Sequence, residues 1–260
     1  MTRRGPRSGT LWSLVGALAL GLTWEALVRL LNVREFVLLP PSRIVSSFLD
    51  APGFYLGDVV VTAKHLVIGV AISLALSLAF GAALAWFRPL EQASQPLLVL
   101  IMVTPWVAYI SSIVLVVGRG TPAIVFLVSF VTIPAFVYAT VGGMRSADPA
   151  ARELFASIDA SPWEVLWRLR LPSALPSLFT AARFNVGLGL GAAYFAEGAT
   201  FNAQGNGLGE TGKRAAANNQ GGILWTTIVC AALLGILAQI AVVVLERWLL
   251  HWHASQRRTS

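Results

Sequence analysis

Apolar residues in this chain run in blocks too long for the alternation of a half-buried strand and too complete for the one-sided stripe of a soluble helix. Six stretches are long and apolar enough to cross a bilayer as helices: 11–31, 60–86, 96–118, 123–144, 178–201 and 222–245. The fold class predicted is therefore an all-α integral membrane protein with about six transmembrane helices, since in lipid a spanning helix satisfies its own backbone. Pro105 and Pro134 fall inside the third and fourth spans, where kinks are expected. Between the first two spans, Leu39-Pro40-Pro41-Ser42-Arg43 breaks any helix, and a short surface helix is predicted over 42–49.

Composition strengthens this picture. Of 260 residues, 56% are hydrophobic and 12% charged, against about 45–50% and about 25% in soluble domains. The net charge of +7 would suit nucleic acid, but the basic residues lie between apolar spans, not on one face, so a membrane surface is the partner expected. Cys230 is the single cysteine, and His65, His251 and His253 are scattered, so no disulfide framework, metal site or cofactor site is predicted. Arg3, Arg4 and Arg7 before an apolar run have the outline of a signal peptide. The run continues past Glu25 and Arg29 to Leu31 with no small-residue cleavage site, so it is read as a retained helix.

An even number of spans puts both termini on one side. If that side is the cytoplasm, most of the nineteen Lys and Arg fall on inner segments, among them Arg88, Arg145, Arg152, Arg168, Arg170, Arg247, Arg257 and Arg258, as the positive-inside rule asks. The outer segments are then 32–59, 119–122 and 202–220. The chain divides into 1–59 (N-terminus, first span, outer segment), 60–250 (the main helical bundle, with an inner loop 145–177) and a short inner tail 251–260.

The most specific local signals lie in 145–177. Asp148-Pro149 is a helix cap followed by proline at the first helical position, opening a helix that ends near Ile158. Asp159-Ala160 makes a turn. Ser161-Pro162-Trp163-Glu164 is a capping box opening a second helix, which Pro172 and Pro176 are expected to stop. The hairpin is crowded with Leu154, Phe155, Ile158, Trp163, Leu166 and Trp167. Such a surface packs either on the ends of the protein's own spans or on a partner.

The run Glu153-Leu154-Phe155-Ala156-Ser157-Ile158-Asp159-Ala160-Ser161-Pro162-Trp163, ending in Arg170-Leu171-Pro172-Ser173-Ala174-Leu175-Pro176, resembles the "EAA" loop of bacterial ABC importer permeases. Further pieces are similar to the nitrate, sulfonate, taurine and bicarbonate branch of that family: Trp24-Glu25, Leu39-Pro40-Pro41-Ser42, Thr62 with Gly69, Gly118-x-Gly120, Ala196-Glu197, Gly207-Leu208-Gly209, and Leu245-Glu246-Arg247-Trp248-Leu249-Leu250-His251-Trp252. Departures are Leu154-Phe155 for the Ala-Ala of the loop, Asp159 for its glycine, Val116-Val117 for a Trp-Phe pair, and His65 for an arginine. The resemblance implies a type I importer permease in the bacterial cytoplasmic membrane. Its implied partners are ABC ATPase subunits, an extracytoplasmic solute-binding protein and a second permease subunit, in a homodimer. It implies ATPase coupling through Glu153, Leu154, Phe155, Ala156, Asp159, Ser161, Pro162, Trp163, Leu171 and Pro172. The branch carries small anions such as nitrate, sulfonates and taurine; close relatives resemble carriers of thiamine precursors or riboflavin.

Candidate pathway residues each have a plainer alternative. Glu197 near the end of the fifth span is a functional candidate because ionisable groups in a membrane are costly, or an interfacial carboxylate reaching water or a nearby base. Gly187, Gly189 and Gly191 make a small-residue face suited to close helix packing, beside which Asn185 and Tyr194 could face substrate. Trp106 and Tyr109 could stack on a planar solute or anchor the helix. Gly207-Leu208-Gly209-Glu210-Thr211-Gly212-Lys213-Arg214 mimics a phosphate-binding loop but has Arg214 where Ser or Thr would hold Mg²⁺, and no buried strand before it. No catalytic constellation is present in the sequence, so ATP hydrolysis is assigned to another chain. An ion-coupled secondary transporter would need inverted repeats and buried ionisable pairs in the spans.

Overall fold

The computed structural model describes residues 6–200 and 207–251. The expected inner arginines Arg3, Arg4, Arg257 and Arg258, the end of the fifth span with the start of the outer segment (201–206), and Trp252 and His253 lie outside the described residues. The long rods are α1 (Pro6–Leu30), α3 (Pro52–Trp86), α6 (Thr121–Arg145), α9 (Leu171–Thr200) and α11 (Gly221–Leu249). Shorter helices are α2 (Pro41–Asp50), α4 (Arg88–Val103), α5 (Tyr109–Val117), α7 (Pro149–Ser157), α8 (Pro162–Val165) and α10 (Leu208–Ala217).

The packing logic inverts that of a soluble protein. Along α3 the buried face carries Asp58, Thr62, His65, Gly69, Ser73, Ser77 and Gly81 beside Tyr55, Leu66 and Leu84, while Val67, Ile68, Ile72, Leu76 and Phe80 face outward. Polar and small residues recur at helical spacing on the inside because they let backbones approach and hydrogen-bond across the seam, while hydrocarbon already suits the lipid side. At the centre is α6, buried at Ile124, Leu127, Val128, Phe136 and Val137, with α3 and α9 on either flank. Asn185 of α9 donates to the Thr132 carbonyl at 3.1 Å, and Ser77 of α3 donates to the Ile133 carbonyl at 3.2 Å. The two flanking helices thus clamp α6 next to Pro134, where it continues unbroken.

Among the described residues three helices (α3, α6 and α11) are by length and composition able to cross a membrane, and α4 with the Trp106–Val117 segment is a bent pair with the geometry of a broken span or a re-entrant loop. The helices α1 and α9, of 25 and 30 residues, have the length of the two remaining expected spans. The third expected span is corrected: it is not one kinked helix over 96–118 but α4 and the Trp106–Val117 segment bent by 88°. Pro105 forces Thr104 into extended geometry (φ −73°, ψ 130°) and removes a backbone donor, so the helix stops and restarts through a short 3-10 turn at Trp106–Ala108.

A second correction concerns Pro172 and Pro176, which do not stop the inner helix. A π-helical turn at Leu166–Arg170 joins α8 to α9, which runs through both prolines to Thr200. Wider π winding at the junction relieves the missing donor of Pro172, near the start of the α-helical segment. The hairpin is therefore continuous with a long rod of the bundle, not a separate element. The expected outer segment 202–220 holds α10, which is buried at Leu208, Gly209, Glu210, Thr211, Gly212 and Ala215.

Candidate functional site

The hairpin forms as its local chemistry dictates. Asp148 accepts from the Ala150 amide at 3.0 Å, capping α7. Asp159 adopts φ +48°, the left-handed turn position between the helices. Ser161 and Glu164 close a reciprocal capping box at the start of α8. Of the expected coupling residues, Glu153, Leu154, Ala156, Asp159, Ser161, Pro162 and Trp163 are exposed, while Phe155, Leu171 and Pro172 are half-buried and anchor the hairpin. Leu154, Ile158, Trp163 and Trp167 stand 55–66% exposed, with the two indoles edge-on at 5.4 Å. The bulk of this apolar surface is not spent on the protein's own spans.

At the other end of α9, Glu197 lies in a buried knot. Its Oε1 meets His65 Nδ1 at 2.8 Å, and its Oε2 accepts from the Thr62 hydroxyl at 2.9 Å and from the Gly209 amide at 3.0 Å. The Thr62 oxygen in turn accepts from the Leu208 amide at 2.9 Å, and Thr211 donates to Asp58 Oδ2 at 2.6 Å. A carboxylate and a hydroxyl from α3 and α9 thereby satisfy the open amides at the start of α10. A Cβ on Gly209 would fall on the Tyr194 carbonyl oxygen, so only glycine lets α10 seat there. The phosphate-loop look-alike is this same helix start, and its Gly209 amide is taken by Glu197. Sequence reasoning singled out Glu197 but missed Asp58, Thr62, His65 and Thr211 as its companions. The i, i+4, i+7 spacing of Asp58, Thr62 and His65 in an apolar span was the available signal.

The remaining pathway candidates separate. Asn185 is fully buried, with its Oδ1 unpartnered. Tyr194 and Phe195 line a groove of about 700 Å³ between α5, α9, α10 and α11, together with Ser111 and Lys213. Trp106 packs edge-on against Phe195 at 5.5 Å, and Tyr109 against Phe130 at 5.2 Å. Thr180, Phe184 and Gly187 leave a stripe of α9 facing outward.

A polytopic helical bundle, one of whose long rods continues into an exposed amphipathic hairpin, is the architecture of a membrane-embedded subunit. The chain belongs to the family of binding-protein-dependent transport system inner membrane components, which matches residues 69–251. It is a permease of the ABC importer type, with the transmembrane-domain fold of such importers. It is 29% identical over 92% of its length to a formylaminopyrimidine transport permease of Halalkalibacterium halodurans (94% of that chain), and 22% identical over 96% to the taurine transport permease of Escherichia coli (93% of that chain). Its fold matches a chain of the inward-facing MetNI methionine ABC transporter with TM-score 0.63, at 18% identity, over 77% of this chain and 98% of that one.

Proposed function

We propose that the chain forms half of the translocation pathway of an ATP-driven importer. It works as a pair of permease subunits, with ATPase subunits seated on the α7–α8 hairpins and a solute-binding protein delivering solute to the opposite face. ATP hydrolysis belongs to the partner chain, and both termini and the hairpin lie in the cytoplasm of a bacterial cell. The observation that carries this reading is the unbroken continuation of the hairpin through the π turn into α9. A push on Trp163 is a push on the rod that clamps α6 and lines the aromatic groove. ATP-driven closure of the ATPases then moves the hairpins together and switches the bundle between inward- and outward-open states.

The groove's Tyr194 and Phe195 suit stacking on a small planar heterocycle, the substrate class of the pyrimidine-permease relative, and this is the solute we favour. Lys213 in the same groove supports a sulfonate- or taurine-type anion as the second reading. Uptake by cells expressing the full transporter separates the two through competition by thiamine-precursor pyrimidines or by taurine. For the machinery itself, co-purification with the ATPase is the test: wild-type chain should retain it and Trp163→Glu should lose most of it. Retention by Trp163→Glu and Leu154→Glu alike would overturn the docking assignment.

A further inference from the structure

On the hairpin side of the bundle a slot of about 400 Å³ opens between α3, the π turn, α9 and the end of α11, with Leu74, Leu78, Trp167, Phe179, Ala182 and Leu249 among its walls. Its size lies within the range of about 300–1,000 Å³ typical of small-molecule sites. Its walls are unlike those of a solute site: every lining residue is Leu, Phe, Trp, Pro or Ala, and the Trp167 indole N–H is the one polar side-chain group among them. The contents that fit are hydrocarbon.

Leu249 also borders a second recess, formed with Arg247, Trp248 and His251 at the end of α11. The neighbouring acid, Glu246, is already engaged by Arg183 of α9. Arg247 is exposed and has no carboxylate within ion-pair distance among the described residues. The His251 ring is fixed by Nδ1 against the Trp248 carbonyl at 3.0 Å, which must accept, so Nδ1 carries the proton and Nε2 is left facing away from that bond. An apolar slot thus adjoins a cationic, aromatic-edged recess at a helix end, where the basic residues of membrane proteins meet lipid headgroups.

We propose that this pair of recesses is a binding site for one anionic phospholipid, with an acyl chain in the slot and the phosphate on Arg247 beside His251. The site stands apart from the solute groove, and its lipid does not depend on which solute the permease carries. A second copy of the chain is the competing occupant.

The test uses the full-length purified chain washed in detergent and then exposed to mixed micelles containing phosphatidylglycerol or phosphatidylcholine, with retained lipid counted by native mass spectrometry. One phosphatidylglycerol should remain per chain, with several-fold less phosphatidylcholine. Arg247→Gln should lower phosphatidylglycerol retention several-fold and leave phosphatidylcholine unchanged, whereas Arg34→Gln, far along the chain on the first outer segment, should change neither. Ala182→Phe, or Leu78→Phe if the first variant is not monodisperse, should fill the slot and abolish retention. Equal retention of the two lipids, or full retention by a monodisperse slot-filled variant, would overturn the proposal. So would a disulfide-linked dimer of Ala182→Cys in a Cys230→Ser background, which would assign the slot to a second copy.

Discussion

Thr62 shows how much one hydroxyl decides in this bundle. It donates to Glu197 and accepts from Leu208, so Thr62→Val leaves a buried carboxylate short of a donor and a buried amide without an acceptor. A buried group left unsatisfied costs about 1–3 kcal/mol, and thermal unfolding in detergent should show a loss of that size, with Thr62→Ser close to wild type. Glu197→Ala removes at once the acceptor of the Thr62 hydroxyl and of the Gly209 amide and the contact to His65, each buried group left unsatisfied costing about 1–3 kcal/mol, so it should lose more stability still. Transport loss by Glu197→Gln at unchanged stability would instead return Glu197 to the pathway. Asp159 behaves in the opposite sense: at φ +48° a non-glycine residue carries a backbone penalty of about 1 kcal/mol. Asp159→Gly should therefore unfold at the same temperature or slightly higher, and Asp159→Val lower. Impaired ATPase coupling in Asp159→Gly would show that the carboxylate serves the partner.

Among elements, the hairpin and α10 differ in how much of themselves the sequence displays. Caps, prolines and the Asp turn are local signals, and α7 and α8 formed where those signals lie. The outcome at Pro172 was not displayed by those signals: the chain passes through a π turn into α9, where Ala174 is fully buried. Glu153 is exposed on α7 and has no ion-pair partner among the described residues, leaving its charge available to another chain. Glu153→Arg should reduce ATPase co-elution, or preserve it while uncoupling hydrolysis from uptake. Unchanged co-elution and coupling would assign this face of α7 to solvent. The knot predicts a matching element-scale effect: Gly209→Ala should unseat α10 from α9 and lower the melting temperature well beyond the Thr62→Val shift.

At the scale of the whole molecule, the inside-out arrangement of α3 and the outward apolar faces of α1 and α11 require lipid around the bundle. The orientation in that lipid is the remaining large-scale variable. Single cysteines at Ser46 on α2 and Ser157 on α7, both exposed, in a Cys230→Ser background, should label from opposite sides of intact cells. Ser46 should react with an impermeant maleimide directly and Ser157 only after permeabilisation. The reverse order would invert the topology and move the hairpin away from any cytoplasmic ATPase. Glu25 ties the α1–α2 corner together: its carboxylate accepts from the Ser42 amide at 3.0 Å and the Ser42 hydroxyl at 2.7 Å. It thereby caps α2 from α1 and joins Trp24-Glu25 to the Pro-Pro-Ser run.

The sequence by itself determined the membrane class, the long rods and the hairpin, because hydropathy over about 20 residues and helix capping are properties of contiguous chain. It also carried the family, since the motifs fall in order along the chain. Tertiary structure showed what those signals did not: the 88° break of the third span, the passage of α9 through two prolines, and the burial of α10 on Glu197. The break follows the donor lost at Pro105 and the passage follows the π turn before Pro172, while α10 is held by acceptors supplied from α3 and α9. In a medium without water to satisfy the backbone, where a helix ends is settled by its neighbours as much as by its own residues.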